Sequence, residues 1–224
     1  MQNGSSVSLD AGTIHTDCVF CQHNDIATYI LKESQSFRIV TDHAPLVEGH
    51  ILIVPKLHYA CYGAVPAELD AELFALKREV QQFFQQFYTP AVFWEHGVFR
   101  QTVFHAHLHC FPFGPISQSQ HDLCEKLCAQ IIHSQDDIRV WYTSKGHYFY
   151  LEPDNAFLFA PKMDTYLGII QGVLWPGTSA CTGHKEWRSS HQRYEDGKPL
   201  IATVRAKWRI FEQQGVAYAD EASA

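Results

Sequence analysis

The sequence predicts an α+β fold, a sheet with helix cover, and three patterns in its first half predict it. Residues 50–55 (His-Ile-Leu-Ile-Val-Pro) are almost continuously apolar, as in a strand buried on both faces or nearly so. Leu69, Leu73, Leu76, Val80, Phe84 and Phe87 recur at three- and four-residue spacing, the period of one apolar helix face. Residues 104–110, within the run 103–111, then alternate strictly between apolar residues and histidines, which is the period of a strand. Strands, one long helix and more strands make an α+β sandwich, and 224 residues suffice for a sizeable core.

Taken in order, residues 1–13 read as a polar tail. Residues 28–31 and 37–40 are short β-like runs, and Asp42 to Gly49 is a loop containing a turn. The helix spans residues 66–88, because Pro66 suits a first turn and Pro90 stops it. Residues 91–96 and 103–111 are two strands joined by a short turn. Residues 121–133 form a helix with Leu123, Cys124, Leu127 and Ile131 inward. Residues 147–152 and 156–160 are strands joined by Pro153-Asp-Asn155, a hairpin signal. Residues 166–175 form a helix broken at Gly172, residues 177–197 a polar loop, and residues 200–214 a final helix. No composition shift separates two domains, so residues 14–114 read as one domain and 115–224 as an α+β extension packed on it.

Composition narrows the function. The net charge of −7 argues against a protein that coats nucleic acid, although residues 139–209 hold ten Lys/Arg against six Asp/Glu. Those cations, Lys185, Arg188, Arg193 and Arg205 among them, form either a solvated helix face or contacts to the phosphates of a small ligand. The N-terminus has no signal-peptide pattern, and no apolar run approaches the roughly 20 residues that span a bilayer. A soluble, cytoplasmic chain with no membrane partner is expected. Seven cysteines, an odd number, fit reduced thiols, with Cys110, Cys124 and Cys128 inside apolar patterns.

His105, His107 and His109 carry the chemistry. On a strand all three imidazoles leave one face, about 6.5–7 Å apart at Cα. Phe104, Ala106, Leu108 and Cys110 leave the other. Such a row can ligate a metal, attack as a nucleophile or pass protons near neutral pH, and spacing alone fits each. Two groups share this strand. Cys18, Cys21, His58 and His105 make a Cys₂His₂ set that suits a structural zinc, although Cys-x-x-Cys also fits a redox pair. His107 and His109, with His50 as a third member, can attack phosphorus and stabilise its oxygens.

Three motifs in order, Cys18-x-x-Cys21, Gly49-His-Ile-Leu-Ile-Val-Pro-Lys-x-His58 and Gln101-Thr-Val-Phe-His-Ala-His-Leu-His109, closely resemble the histidine triad (HIT) superfamily over residues 14–113. The resemblance implies a HIT-like antiparallel sheet with helix cover that commonly dimerises, and a nucleotidyl hydrolase or transferase. It implies catalytic roles for His107 (nucleophile), His109 (scissile phosphate) and His50. Gln101 and Thr102 map to substrate-binding positions, and Cys18, Cys21, His58 and His105 to the zinc ligands of bacterial members. The implied partner is a nucleoside phosphoester, a phosphoramidate or a dinucleoside polyphosphate. Trp94 stands where nucleotide-hydrolysing members carry asparagine, as a base-stacking surface or a core residue. Glu95-His-Gly97, with Tyr148-Phe-Tyr-Leu-Glu152 and Glu186-Trp-Arg188, is similar to a less-characterised branch that has a C-terminal extension. That branch gives the alternative, a nucleotide-binding scaffold or adapter with little catalysis.

Overall fold

A computed structural model describes residues 12–114, 118–174 and 190–221. Its centre is an eight-stranded sheet whose paired strands are all antiparallel. In chain order the strands are β1 (Ile30–Glu33), β2 (Phe37–Thr41), β3 (Ile51–Pro55), β4 (Val92–Glu95), β5 (Leu108–Phe111), β6 (Gln130–Ile132), β7 (Phe149–Glu152) and β8 (Ala156–Phe159). In space they run β1-β2-β3-β5-β4-β7-β8-β6, so strands from the second half of the chain continue the sheet of the first. The helices are α1 (His23–Ile26), α2 (Asp70–Phe87), α3 (Gln118–Lys126), α4 (Gln135–Lys145), α5 (Met163–Ile169) and α6 (Ser190–Glu221).

Alternation along the strands divides the molecule into two faces. Phe37, Ile39, Ile51, Ile53, Phe93, Leu108 and Cys110 face α2, where Leu73, Leu76, Val80, Phe83 and Phe84 cover them. Each such fully buried side chain contributes about 1.5–3 kcal/mol. The opposite face carries two separate apolar patches. One gathers Ile26, Val40, Leu52 and Val54, and the other Val92, Trp94, Phe111, Phe149 and Ile169. Trp94, 1% exposed, belongs to the second patch, so it is a core residue and not a stacking surface.

Several expectations need correction. Strand β5 begins at Leu108, so His105 and His107 lie just before it, and residues 96–107 form a long connection from β4, not a short turn. Ala106, Leu108 and Cys110 point into the core as alternation requires, but Phe104 is 65% exposed because pairing has not yet begun there. The helix expected over 121–133 ends at Lys126. Cys128 takes a left-handed φ of 55° and is exposed, and Ile131, also exposed, lies on β6.

Helix α4 was not foreseen, though Ser134 and Asp137 form a capping box and Gly146 (φ 78°) ends it. Residues 163–169 are α-helical and 170–174 continue as a π-type turn, so the chain does not break at Gly172, where a Cβ would collide with Leu123. Helix α6 starts at Ser190, within the loop expected over residues 177–197, and runs on through Pro199. Tertiary anchoring overrides the local breaker: Trp208 packs on Phe83, and Lys207 pairs with Glu48 at 2.7 Å. Residues 12–13, expected in a tail, are tied to His58 through Gly12 N–H and Thr13 O. Residues 1–11 and 175–189, including Lys185 and the Glu186-Trp-Arg188 resemblance, lie outside the described residues.

Candidate functional site

The four Cys/His residues converge. Cys18, Cys21, His58 and His105 come from three separate segments, all buried, with their donor atoms within 4.8 Å of one another. Cys18 Sγ lies 3.3 Å and Cys21 Sγ 3.5 Å from His105 Nδ1, and Cys21 Sγ lies 3.5 Å from His58 Nδ1. Bonds of about 2.3 Å to sulfur and about 2.05 Å to nitrogen at a tetrahedral angle put S and N about 3.5 Å apart. The donors therefore fit a tetrahedral ion of the zinc type.

The ring orientations agree. His105 Nε2–H donates to the Pro55 carbonyl (2.8 Å), which leaves the Nδ1 lone pair facing the thiols. Burial, reinforced by neighbouring Cys18, pushes the Cys21 thiol up to about 11; a bound cation reverses that balance and takes the thiolate. Both cysteines are free thiols, not a disulfide.

The second group occupies the polar gap between the two apolar patches on the face away from α2. His109 sits on β5 between Leu52 of β3 and Trp94 of β4. His50 precedes β3 at the end of a loop closed by Asp42 N–H to the His50 carbonyl and His50 N–H to the Val47 carbonyl, both 3.2 Å. Gly49 makes that turn possible, because its φ is 90° and a Cβ there would sit 2.8 Å from Pro112 Cγ.

The hydrogen bonds fix which nitrogen carries each proton. His107 Nδ1 lies 2.6 Å from the His105 carbonyl, which can only accept, so its Nε2 keeps a lone pair. Leu46 N–H donates to His50 Nδ1 at 3.2 Å, so neutral His50 is protonated on Nε2. That nitrogen donates to His109 Nδ1 at 2.9 Å, which places the His109 proton on Nε2. A nucleophilic lone pair and an N–H donor thus stand on adjacent rings, their centroids 4.9 Å apart.

Burial keeps these rings neutral. It lowers His107, against the pull of the His105 carbonyl and Asp42, and drives His109 well below its ordinary value, with His107 and His50 adding to the effect. Burial also takes His50 to about 4 in spite of Asp42. For Asp42, burial works upward, but His50, the Ala44 N–H and His43 outweigh it and hold the carboxyl low. Asp42, His50 and His109 also lie close enough to share an ion. The tautomers oppose this, since the nitrogen of His50 that faces Asp42 and His109 is the protonated Nε2, and the His109 Nδ1 lone pair is engaged with that same N–H.

The structure thus brings His50, His107 and His109 together, and separately Cys18, Cys21, His58 and His105. Gln101 is buried, and its Nε2 donates to the His105 carbonyl at 3.1 Å, the same oxygen that holds His107. Thr102 is exposed. Sequence reasoning missed Asp42, 3.7 Å from His50 Nε2; Phe20, whose ring lies 5.5 Å from His107; and His96, 5.8 Å from His109. Asp42 had a signal in its place at the mouth of the loop that delivers His50. The other two contacts are purely tertiary.

A model of the family described as "Protein similar to CwfJ C-terminal" matches residues 11–127, just over half of the chain. The chain is 33% identical over 67 residues to an adenylylsulfatase of Arabidopsis thaliana (29% of this chain, 34% of that protein). It is 28% identical over 103 residues to the adenosine 5'-monophosphoramidase of Saccharomyces cerevisiae (45% of this chain, 65% of that protein). It therefore spans less than two thirds of either relative's length. A zinc-bound histidine triad family protein from Mycobacterium smegmatis is similar at 29% identity over 43% of this chain and 74% of that one, with a TM-score of 0.38. Among the described residues, no helix is long and apolar enough to cross a membrane.

Proposed function

The chain belongs to the family of proteins similar to CwfJ C-terminal, within the histidine triad superfamily, and from that premise we propose that it hydrolyses or transfers nucleotidyl groups through His107. The single observation that carries the reading is the proton pattern of the three rings, with an Nε2 lone pair on His107 beside an Nε2–H on His109. The His107 lone pair attacks the α-phosphorus of a nucleoside phosphoester, phosphoramidate or polyphosphate. A P–N bond forms as the bond to the leaving group breaks, and its electron pair departs with that group. From a polyphosphate the group leaves as a phosphate oxyanion; from a phosphoester or phosphoramidate it leaves as an alcohol or amine that takes a proton from solvent. Water, or another hydroxyl acceptor, then attacks phosphorus as the P–N pair returns to Nε2, and the proton lost by the attacking oxygen passes to solvent. His109 Nε2–H stabilises a nonbridging oxygen, while His50 and the Leu46 N–H hold His109 in the donating tautomer. The Cys18/Cys21/His58/His105 set would hold a zinc ion, which would fix the backbone that leads into β5, and His105 itself supplies the carbonyl that orients His107.

The test is turnover of an adenylyl phosphoramidate and a diadenosine polyphosphate by wild type and His107→Ala, with intact-mass analysis for a nucleotidyl-protein adduct. Turnover and adduct that both vanish in His107→Ala are expected; no turnover and no adduct on any such substrate would refute the proposal. One observation favours the binding-only alternative: His107 is 5% exposed, with Phe20 against it. That reading requires calorimetric nucleotide binding without product.

A further inference from the structure

The His96–Arg100 connection is strained where it meets the site. Val98, a β-branched residue, holds a φ of 79°, and Arg100 a φ of 55°. The strained path places His96 at 5.8 Å from His109 and at 5.8 Å from Tyr166 of α5, ring to ring. The Arg100 guanidinium lies 5.4 Å over that same Tyr166 ring.

A second cation reaches the same region from helix α6. Helix α6 presses on the Asp42–Gly49 loop closely enough that a Cβ on Gly197 would meet Pro45 Cδ at 2.5 Å. Arg193, one turn earlier and half-buried, donates from Nε to the Ala44 carbonyl at 3.2 Å. Its charge is felt by Asp42, His50 and Tyr166.

Resting on the nucleotidyl-transfer reading above, we infer that Arg100 and Arg193 flank a leaving-group subsite beside His109 that selects substrates whose departing group is itself a phosphate anion. The chemistry of the neighbours agrees. When His107 attacks, the bond from the α-phosphorus to the bridging oxygen breaks, and that oxygen leaves with the electron pair as a phosphate. It needs cations and no proton, and guanidinium groups supply this through paired N–H donors. An amine leaving group needs a proton instead. Burial holds His50 and His96 at about 4 and His109 well below its ordinary value, so these rings donate hydrogen bonds but carry no acidic proton to give.

The test compares diadenosine tetraphosphate, which releases ATP, with adenosine 5'-phosphoramidate, which releases ammonia, on the full chain. Wild type is expected to favour the tetraphosphate. Arg193→Gln and Arg100→Gln are expected to lower its kcat/KM roughly 10- to 100-fold each while leaving the phosphoramidate within about threefold. Arg193→Lys should restore part of the loss. Equal losses on both substrates would mean that Arg193 merely supports the loop, and would overturn the inference while the His107 chemistry stands. Preference for the phosphoramidate would overturn it too. Calorimetry with ADP against AMP gives a readout independent of turnover: the preference for ADP should collapse in Arg193→Gln, and its persistence would also overturn the subsite. Absence of turnover of both compounds by wild type would instead strike the underlying reading.

Discussion

Replacing Glu95 by glutamine isolates the effect of one buried carboxyl on the face opposite the site. Glu95 is 1% exposed and accepts hydrogen bonds from Tyr62 N–H at 2.8 Å and Tyr148 O–H at 2.5 Å. Burial nevertheless wins, and its pKa rises from 4.5 to about 7. The groups around it do not share that titration. The Tyr62 and Tyr148 phenols and the Cys61 thiol are pushed upward, chiefly by burial, and Lys77, which lines the same small cavity, is paired with Glu152. A carboxyl raised on folding stabilises the fold fully below pH 4.5, and that contribution is lost as pH rises through about 7. At about 1.4 kcal/mol per pH unit, the loss between pH 4.5 and 8 is about 3 kcal/mol, or about 1 M in urea midpoint at an m-value near 3 kcal/mol/M. Glutamine keeps the Tyr62 bond, forfeits the Tyr148 acceptor at a cost of about 1 kcal/mol, and does not titrate. Urea midpoints measured from pH 4.5 to 8 should therefore cross, with wild type more stable in acid and Glu95→Gln more stable above neutrality. Parallel curves would refute the argument.

The Cys₂His₂ set should hold one zinc per chain by elemental analysis, retained in His107→Ala and lost in Cys18→Ala with a marked fall in Tm. Metal content that tracked His107 instead would place the ion on the catalytic row. Trp208→Ala should destabilise by about 3–5 kcal/mol by calorimetry, because Trp208 is 1% exposed and packs 4.8 Å from Phe83; an unchanged Tm would mean that α6 is not anchored there.

Local patterns made much of this legible. The α2 periodicity, the apolar run of β3 and the Cys-x-x-Cys spacing each encode structure within a few residues, so the sheet, its helix and the cluster follow from the chain. The alternation around His107 also holds at Ala106 and Leu108, although pairing begins only at Leu108. What failed was set by distant partners. Phe104 obeys the strand period but has no neighbouring strand, and Pro199 is a local breaker overruled by contacts of Lys207 and Trp208 with the first half. The approach of Arg193 to Ala44 joins residues 149 positions apart, which no periodicity encodes.

The continuity of the sheet has a consequence for cutting the chain. Phe93, Trp94 and Glu95 pair on one side with Glu152, Leu151 and Tyr150. A product ending near residue 114 would bare the outer margin of β4 just beneath the triad, leaving amide and carbonyl groups open to any passing strand. Such a fragment should self-associate. Swapping the rear half for another would therefore mean rebuilding a seam, not exchanging a cassette.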